Sequence, residues 1–353
     1  MSNSPIFIVG TERSGSNLLR LLFDSHSQIS IPHPPHILRY FAPLEAGYGD
    51  LSDRNNLRRL AQDVLRLLEV HIHPWERLPD PDLITSLAKP MDLFGIFVAI
   101  YEWHQQEAGK ARWGCKSTFM IDHVNRVLAR FPDAKFIWLV RDPRDVAASS
   151  RESVFNPCHP YLTATLWCEQ QRVGLDYEEL LPKANWSRLL YEDLIAQPEQ
   201  TLRELCGFIG ENFEPQMLRF FETPEAKRSA SLSQSWANTA SPVQRDKAGK
   251  YRKTLNEREI RLVEDVAGDV MGKLGYKLDF EPSGFAASQP SAVDLAIREF
   301  FGRCRVEWKS LRRDRNHWQR WRRDWEMALL GVRYGGLSNS SGNPPVDHQL
   351  TEG

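Results

Sequence analysis

The sequence predicts an α/β fold with a central parallel sheet flanked by helices, followed by a helical C-terminal extension. Three observations carry this prediction. Ile6–Val9 and Lys135–Val140 are short, unbroken apolar runs, the pattern of strands buried on both faces. Segments of helical periodicity alternate with them, as in a parallel sheet built from crossover units. A glycine-bearing turn, Gly10 to Asn17, joins the first strand to the first helix.

In chain order, Ser16–His26 has the helical rhythm of Leu18, Leu19, Leu21, Leu22 and Phe23. A helix over 53–71 is capped by Asp53 and carries an apolar stripe from Leu57 to Leu68. Another helix is expected over 92–106. An extended stretch at 112–116 follows, then a helix over 121–130 that ends before Pro132. After the KFIWLV strand, Pro143 opens a helix over 144–151. A long helix over 161–181, a third strand over 187–191 and helices over 198–209 and 256–273 complete the main body. Residues 223–253 lack apolar periodicity and read as a long functional loop.

The extension over 291–334 holds eleven Lys or Arg against six Asp or Glu. Cys304, Trp308, Leu311, Trp318, Trp321, Trp325 and Leu329 mark one face of a long amphipathic helix. We expect that stripe to dock the helix on its own domain, with a membrane surface or self-association as the other uses of such a face. The organisation is therefore a main domain over 1–285, the extension over 291–334 and a polar, disordered tail over 335–353.

The bulk numbers bound the function. With 353 residues, 41% apolar and 26% charged, the chain can bury a core without disulfides or metals. A formal net charge of −1 advertises no nucleic-acid partner. Five scattered cysteines, with no CxxC pair, fit reduced thiols and a cytoplasmic setting. No secretory leader and no transmembrane segment are read from the sequence.

Two segments point to anion binding. Gly10 and Gly15 have P-loop-like spacing, so the turn aims backbone N–H groups into one concavity at a helix N-terminus. Ser16 stands where a nucleotide triphosphatase carries its lysine, and Arg13 lies inside the loop instead. Arg141 leaves the KFIWLV strand at the end where α/β sheets bind ligands, and Ser149 lies two helical turns on. Arg144 and Asp145, between them, read as solvated helix N-terminal charges.

Together IFIVGTERSGSNLLRLLFDSH, RWGCKS, FPDAKFIWLVRDPRDVAAS, LLYEDLIAQPEQTLRELCGFIG and GKYRKTL, spread over residues 5–278, resemble the sulfotransferase superfamily that uses 3′-phosphoadenosine 5′-phosphosulfate (PAPS). The bacterial and tyrosylprotein branches are the most similar in motif. The resemblance implies that Arg13, Ser14, Gly15, Ser16, Asn17 and Leu18 bind the 5′-phosphosulfate. It implies that Arg141 and Ser149 bind the 3′-phosphate, that Tyr191 lies near the nucleotide and that Lys116 lies near the transferred sulfuryl. Cys115 replaces an aspartate frequent before that lysine. Ser241 and Lys250 are the expected late nucleotide contacts, and no metal is required.

Relatives often carry a catalytic glutamate about twenty-one residues after the loop arginine. Here that position is Pro34, in IPHPPH, so His33 and His36 are the candidate bases, with Glu45 a weaker substitute. The acceptor (glycan, lipid, peptide or small molecule) stays open, its pocket expected from 34–110 and 150–185. Two other readings stand beside this one. A P-loop kinase or nucleotide triphosphatase would need Asp142 as its Mg²⁺ ligand. A non-catalytic family member would bind PAPS or a sulfated ligand only.

Overall fold

The computed structural model describes residues 4–281 and 290–335. Five parallel strands form one sheet in the order β2-β3-β1-β4-β5: β1 Ile6–Gly10, β2 Ile29–Ser30, β3 Arg112–Lys116, β4 Lys135–Val140 and β5 Trp186–Leu190. The register sets Ile8 beside Ile137 and Ile137 beside Ser187. Side chains alternate across each strand, so the sheet has two buried faces. Phe7, Val9, Phe136, Trp138 and Val140 meet the helices Arg54–Glu69, Leu93–Glu107 and Pro160–Leu180. Ile6, Ile8, Ile137 and Leu139 meet the helices Ser16–Asp24 and Pro198–Ile209.

Two close approaches fix the centre. Gly10, at φ +143°, lies against the backbone of Leu139, where a Cβ would sit 2.3 Å from the carbonyl oxygen. Trp138 is fully buried with its indole laid on Gly174. Its Nε1 donates to Gln171 Oε1 at 3.0 Å, and Gln171 Nε2 donates to Thr11 Oγ1 at 2.7 Å. The core is thereby tied directly to the turn that follows β1.

The expected strands and long helices form with ends shifted by one or two residues. Asp53 and Asp92 cap the helices after them by accepting from Asn55 N and Gly95 N. Two expectations need correction. Residues 223–253 are not one loop: they hold the helix Pro224–Leu232 and tight turns at Gln234–Ala240 and Arg245–Lys247. These are too short to show a period.

The extension is two helices, Ala292–Arg313 and His317–Tyr334, rather than one. The break falls in the gap between Leu311 and Trp318. There Asp314 accepts from Gln234 N at 2.8 Å, and Asn316 Nδ2 donates to Ile72 O at 3.0 Å. The helices do dock on the main body, but through the face opposite to the apolar stripe. Glu299 accepts from Cys158 N and His159 N, Glu326 pairs with Arg66, and Tyr334 stacks on Tyr48. Segments 282–289 and 336–353, which hold the expected domain boundary and nearly all the tail, lie outside the described residues.

Candidate active site

Because every strand is parallel, the ends of β1, β3, β4 and β5 come to one edge of the sheet. A cavity of about 660 Å³ opens there. Arg13, Gly15, Ser16, Asn17, Leu18, His33, His36, Lys116, Arg141, Ser149, Tyr191, Ser241 and Lys250 all line it. Ser14 lies just beneath, wholly buried, with no hydrogen-bond partner for its Oγ among the described residues.

The loop after β1 holds its shape under strain. Arg13 has φ +71° and Gly15 φ +92°, both left-handed, so successive N–H groups turn the same way before the helix Ser16–Asp24 begins. Gly15 has no room for a side chain, because a Cβ there would stand 2.4 Å from the Tyr191 ring. That ring in turn lies under the Arg141 guanidinium, 4.4 Å from its centroid. Arg141 also donates from Nη1 to Arg13 O at 2.9 Å and from Nη2 to Lys247 O at 3.1 Å. Its Nε is buried and has no partner among the described residues. Arg13 Nε donates to Ser149 Oγ at 3.1 Å. Burial and the neighbouring Arg141 lower the Arg13 guanidinium to about 10.

Arg144 and Asp145 are not solvated charges. Both are buried, at 4% and 1% exposure. Arg144 is gripped by Asp142 and Glu264, while Asp145 accepts from Gly249 N and Tyr251 N. The latter bonds hold segment 247–251 against the cavity. Asp142 is consumed by Arg144 and by its own helix cap, so it is not free as a Mg²⁺ ligand.

Lys116 ends β3. Burial lowers it to about 8, with Glu12 opposing. Cys115 points to the opposite face, where its Sγ meets Tyr101 OH at 3.2 Å, so no local acid pairs with the lysine from that position. Glu12, unremarked in the sequence, lines the cavity instead. Burial raises its carboxyl, while Lys116, Arg39, Arg13 and Arg323 pull it back down.

The two candidate histidines differ. His33 is stacked on His73 at 4.5 Å, lies edge-on to Trp236, and leaves Nδ1 buried without a partner among the described residues. His36 stands at φ +55°, and its Nδ1 meets Ser117 Oγ at 2.8 Å. Burial, reinforced for His33 by His73 and for His36 by Lys116, holds both imidazoles well below their usual range. Glu45 is elsewhere, accepting from Leu93 N and pairing with Arg126. His71 and His73 join His33 in a buried cluster, with His73 stacked on His33 and His71 tilted at 49° to it. Among the described residues no group of His, Cys, Asp or Glu is placed to hold a metal ion.

Part of the remaining wall was not foreseen: Trp236, Arg303, Arg320 and Arg323 line the same cavity. Tyr40 and Phe155, from the segments expected to form the acceptor pocket, line it with them. Within the segments expected to form the acceptor pocket, Trp167 is core, donating to Arg141 O at 3.0 Å, and Trp75 is buried, donating to His33 O.

The sheet and its helices are those of two solved structures. The sulfotransferase domain of the Synechococcus PCC 7002 olefin synthase superposes with a TM-score of 0.50 at 22% identity, covering 75% of this chain and 96% of that one. The sulfotransferase domain of the curacin biosynthetic pathway gives 0.51 at 20% identity, covering 78% and 99%. In sequence, an uncharacterized protein of Aquifex aeolicus is 23% identical over 66% of this chain, which spans only 29% of that relative's length. Protein-tyrosine sulfotransferase A of Caenorhabditis elegans is 22% identical over 79% of this chain and 69% of its own. The model of the Sulfotransferase family matches residues 5–215, which carry both candidate anion turns and β1 to β5, and on that match the chain belongs to the sulfotransferase family.

Proposed function

We propose that this sulfotransferase uses PAPS as donor and passes the sulfuryl group in line to a hydroxyl or amine, with His36 as the base. One observation carries the donor assignment. Ser14 Oγ, Asn17 Nδ2 and Arg141 Nε are buried polar atoms with no partner among the described residues, grouped around the two anion turns. Buried donors left unpaired are costly, so a ligand rich in acceptor oxygens fits them. PAPS supplies the sulfuryl group and leaves as the 3′,5′-diphosphate.

The chain's own tasks follow. Backbone N–H groups of residues 14–17, at the helix N-terminus, hold the anionic group of the donor. Arg141 and Ser149 form the second anion site, which favours a nucleotide with a separate 3′-phosphate. Arg13 and Lys116 balance charge on the reacting side of the cavity. Ser117 fixes His36 through Nδ1, so Nε2 is the atom left to take the acceptor's proton. Ser241 and Lys250 line the same cavity from the far side and are assigned to the nucleotide. Arg39, Arg320 and Arg323 on the facing wall favour an acceptor that carries negative charge.

Calorimetric titration with 3′-phosphoadenosine 5′-phosphate, beside ADP with Mg²⁺, tests the donor. Metal-independent binding of the first, lost in Arg141→Ala, is expected. Preference for ADP with Mg²⁺ would overturn the assignment.

A further inference from the structure

The two C-terminal helices are docked inside out. In His317–Tyr334 the buried residues are His317, Arg320, Arg323 and Tyr334. Trp318, Trp321, Trp325, Leu329 and Val332, at steps of three and four, face away from the protein and are 52–87% exposed. Ala292–Arg313 does the same: Val306 and Ser310 are buried, whereas Ile297, Phe300, Phe301, Trp308 and Leu311 are 47–65% exposed. An amphipathic helix normally hides its apolar face. Here the polar face is the one satisfied by the protein, and the apolar face is left to something else.

The charges around that face identify the partner. Acidic residues of the extension turn inward: Glu299 to Cys158 and His159, Glu307 to Arg320, Asp314 to Gln234 and Glu326 to Arg66. Among the described residues of the extension, Arg298, Arg305, Arg312, Arg313, Arg315, Arg322 and Arg333 are exposed, against only Asp324 among the acids. Arg298, Arg305 and Arg322 have carboxylate neighbours. Arg312, Arg313 and Arg315, at the bend between the helices, make no ion pair among the described residues. Tryptophan beside arginine is the composition of a membrane–water interface: the indole sits at headgroup depth and the guanidinium meets phosphate. Among the described residues no helix is long and apolar enough to cross a membrane, so a surface-lying mode fits.

We propose that the outward face of the helices 292–313 and 317–334 docks the protein on an anionic lipid bilayer. None of these side chains lines the cavity, so this face is separate from the proposed catalytic site. The test is flotation of the full chain with phosphatidylcholine vesicles, with and without phosphatidylglycerol, run beside sedimentation velocity of the protein alone. Binding is expected only to the anionic vesicles. It should weaken roughly tenfold or more in R312Q/R313Q/R315Q, at up to about a fivefold contribution per arginine. It should disappear in W318E/W325E, whose thermal unfolding should match the parent because both side chains lie in solvent. Failure to float with anionic vesicles, or flotation unchanged in both variants, overturns the proposal. Self-association of the parent that W318E/W325E abolishes, without vesicle binding, overturns it too and assigns the face to a second copy.

Discussion

The Nε of Arg13 donates to the Oγ of Ser149 at 3.1 Å, so the loop after β1 and the helix after β4 are one unit. Arg141 reinforces the link by donating to Arg13 O. Removing either partner therefore disturbs both anion sites. Arg141→Ala is expected to weaken 3′-phosphoadenosine 5′-phosphate binding by ~2–3 kcal/mol, the range of a lost charge-assisted hydrogen bond. Ser149→Ala should cost less, ~1 kcal/mol, because a neutral hydroxyl is lost. Calorimetry on both variants checks the order.

Gly15 is the least replaceable residue of the loop. Alanine there must hold φ +92° and meet the Tyr191 ring at 2.4 Å. Gly15→Ala should lose roughly 1–3 kcal/mol of stability in urea denaturation. It should also lose nucleotide affinity, since Tyr191 cannot move without displacing Arg141.

Much of this was legible in the sequence because it is local. Gly10, Arg13 and Gly15 announce a strained turn, and KFIWLV followed by Arg141 announces a strand end with a cation on it. What was missed depends on distant partners. Glu12 looks like an ordinary loop acid until β3 brings Lys116 beside it. Arg144 and Asp145 look like helix-start charges, and only the fold reveals Glu264 and the 249–251 backbone as their partners. The extension misled for the same reason. A Trp stripe implies burial by hydropathy, but the polar docking contacts here are hydrogen bonds accepted by Glu299 and Glu326 and donated by Asn316.

The base can be separated from the charge-balancing groups. His36→Ala should lower kcat by ~10²–10⁴, the usual worth of a positioned base, with 3′-phosphoadenosine 5′-phosphate affinity unchanged. Glu12→Gln should chiefly alter the alkaline side of the pH profile, because it removes the charge that opposes lowering of Lys116. A fall in kcat of similar size in Glu12→Gln, with His36→Ala near normal, would transfer the role to Glu12.

The pH profile of kcat/KM follows from the same residues. Lys116 must be charged, so rate is lost as pH rises through about 8. His36 must be neutral; its imidazole is held well below the usual range, so the acid limb lies well under ~6.5. Anionic donor raises Lys116 when bound, which moves the alkaline limb of kcat above that of kcat/KM. Initial rates across pH at saturating and limiting donor check both limbs.

The histidine cluster predicts acid sensitivity of the fold. His71 is lowered to about 3 and His73 to about 2, and His33 lies well below its usual range, all chiefly by burial. In the unfolded chain each takes a proton near ~6.5. The stability this neutral cluster permits is complete above that value and falls as pH drops below it. The loss is at most ~1.4 kcal/mol per pH unit for each histidine. Urea denaturation between about pH 7 and about pH 5 measures it, and a triple variant with glutamine at 33, 71 and 73 should flatten the slope.

The family match ends at residue 215, whereas Trp236, Arg320 and Arg323 come from beyond it. The cleft is thus built from two parts of the chain. One bank carries the turns within the family match that are assigned above to an anionic nucleotide. The opposite bank includes Arg320 and Arg323, on a helix fastened by side-chain hydrogen bonds, the Glu326–Arg66 ion pair and the stacking of Tyr334 on Tyr48. In the proposed assignment Arg320 and Arg323 can be exchanged without touching the first bank, so what the enzyme modifies is separable from what it spends. A chimera that exchanges the terminal helices between two such chains is expected to carry acceptor preference with the helices and leave donor preference behind.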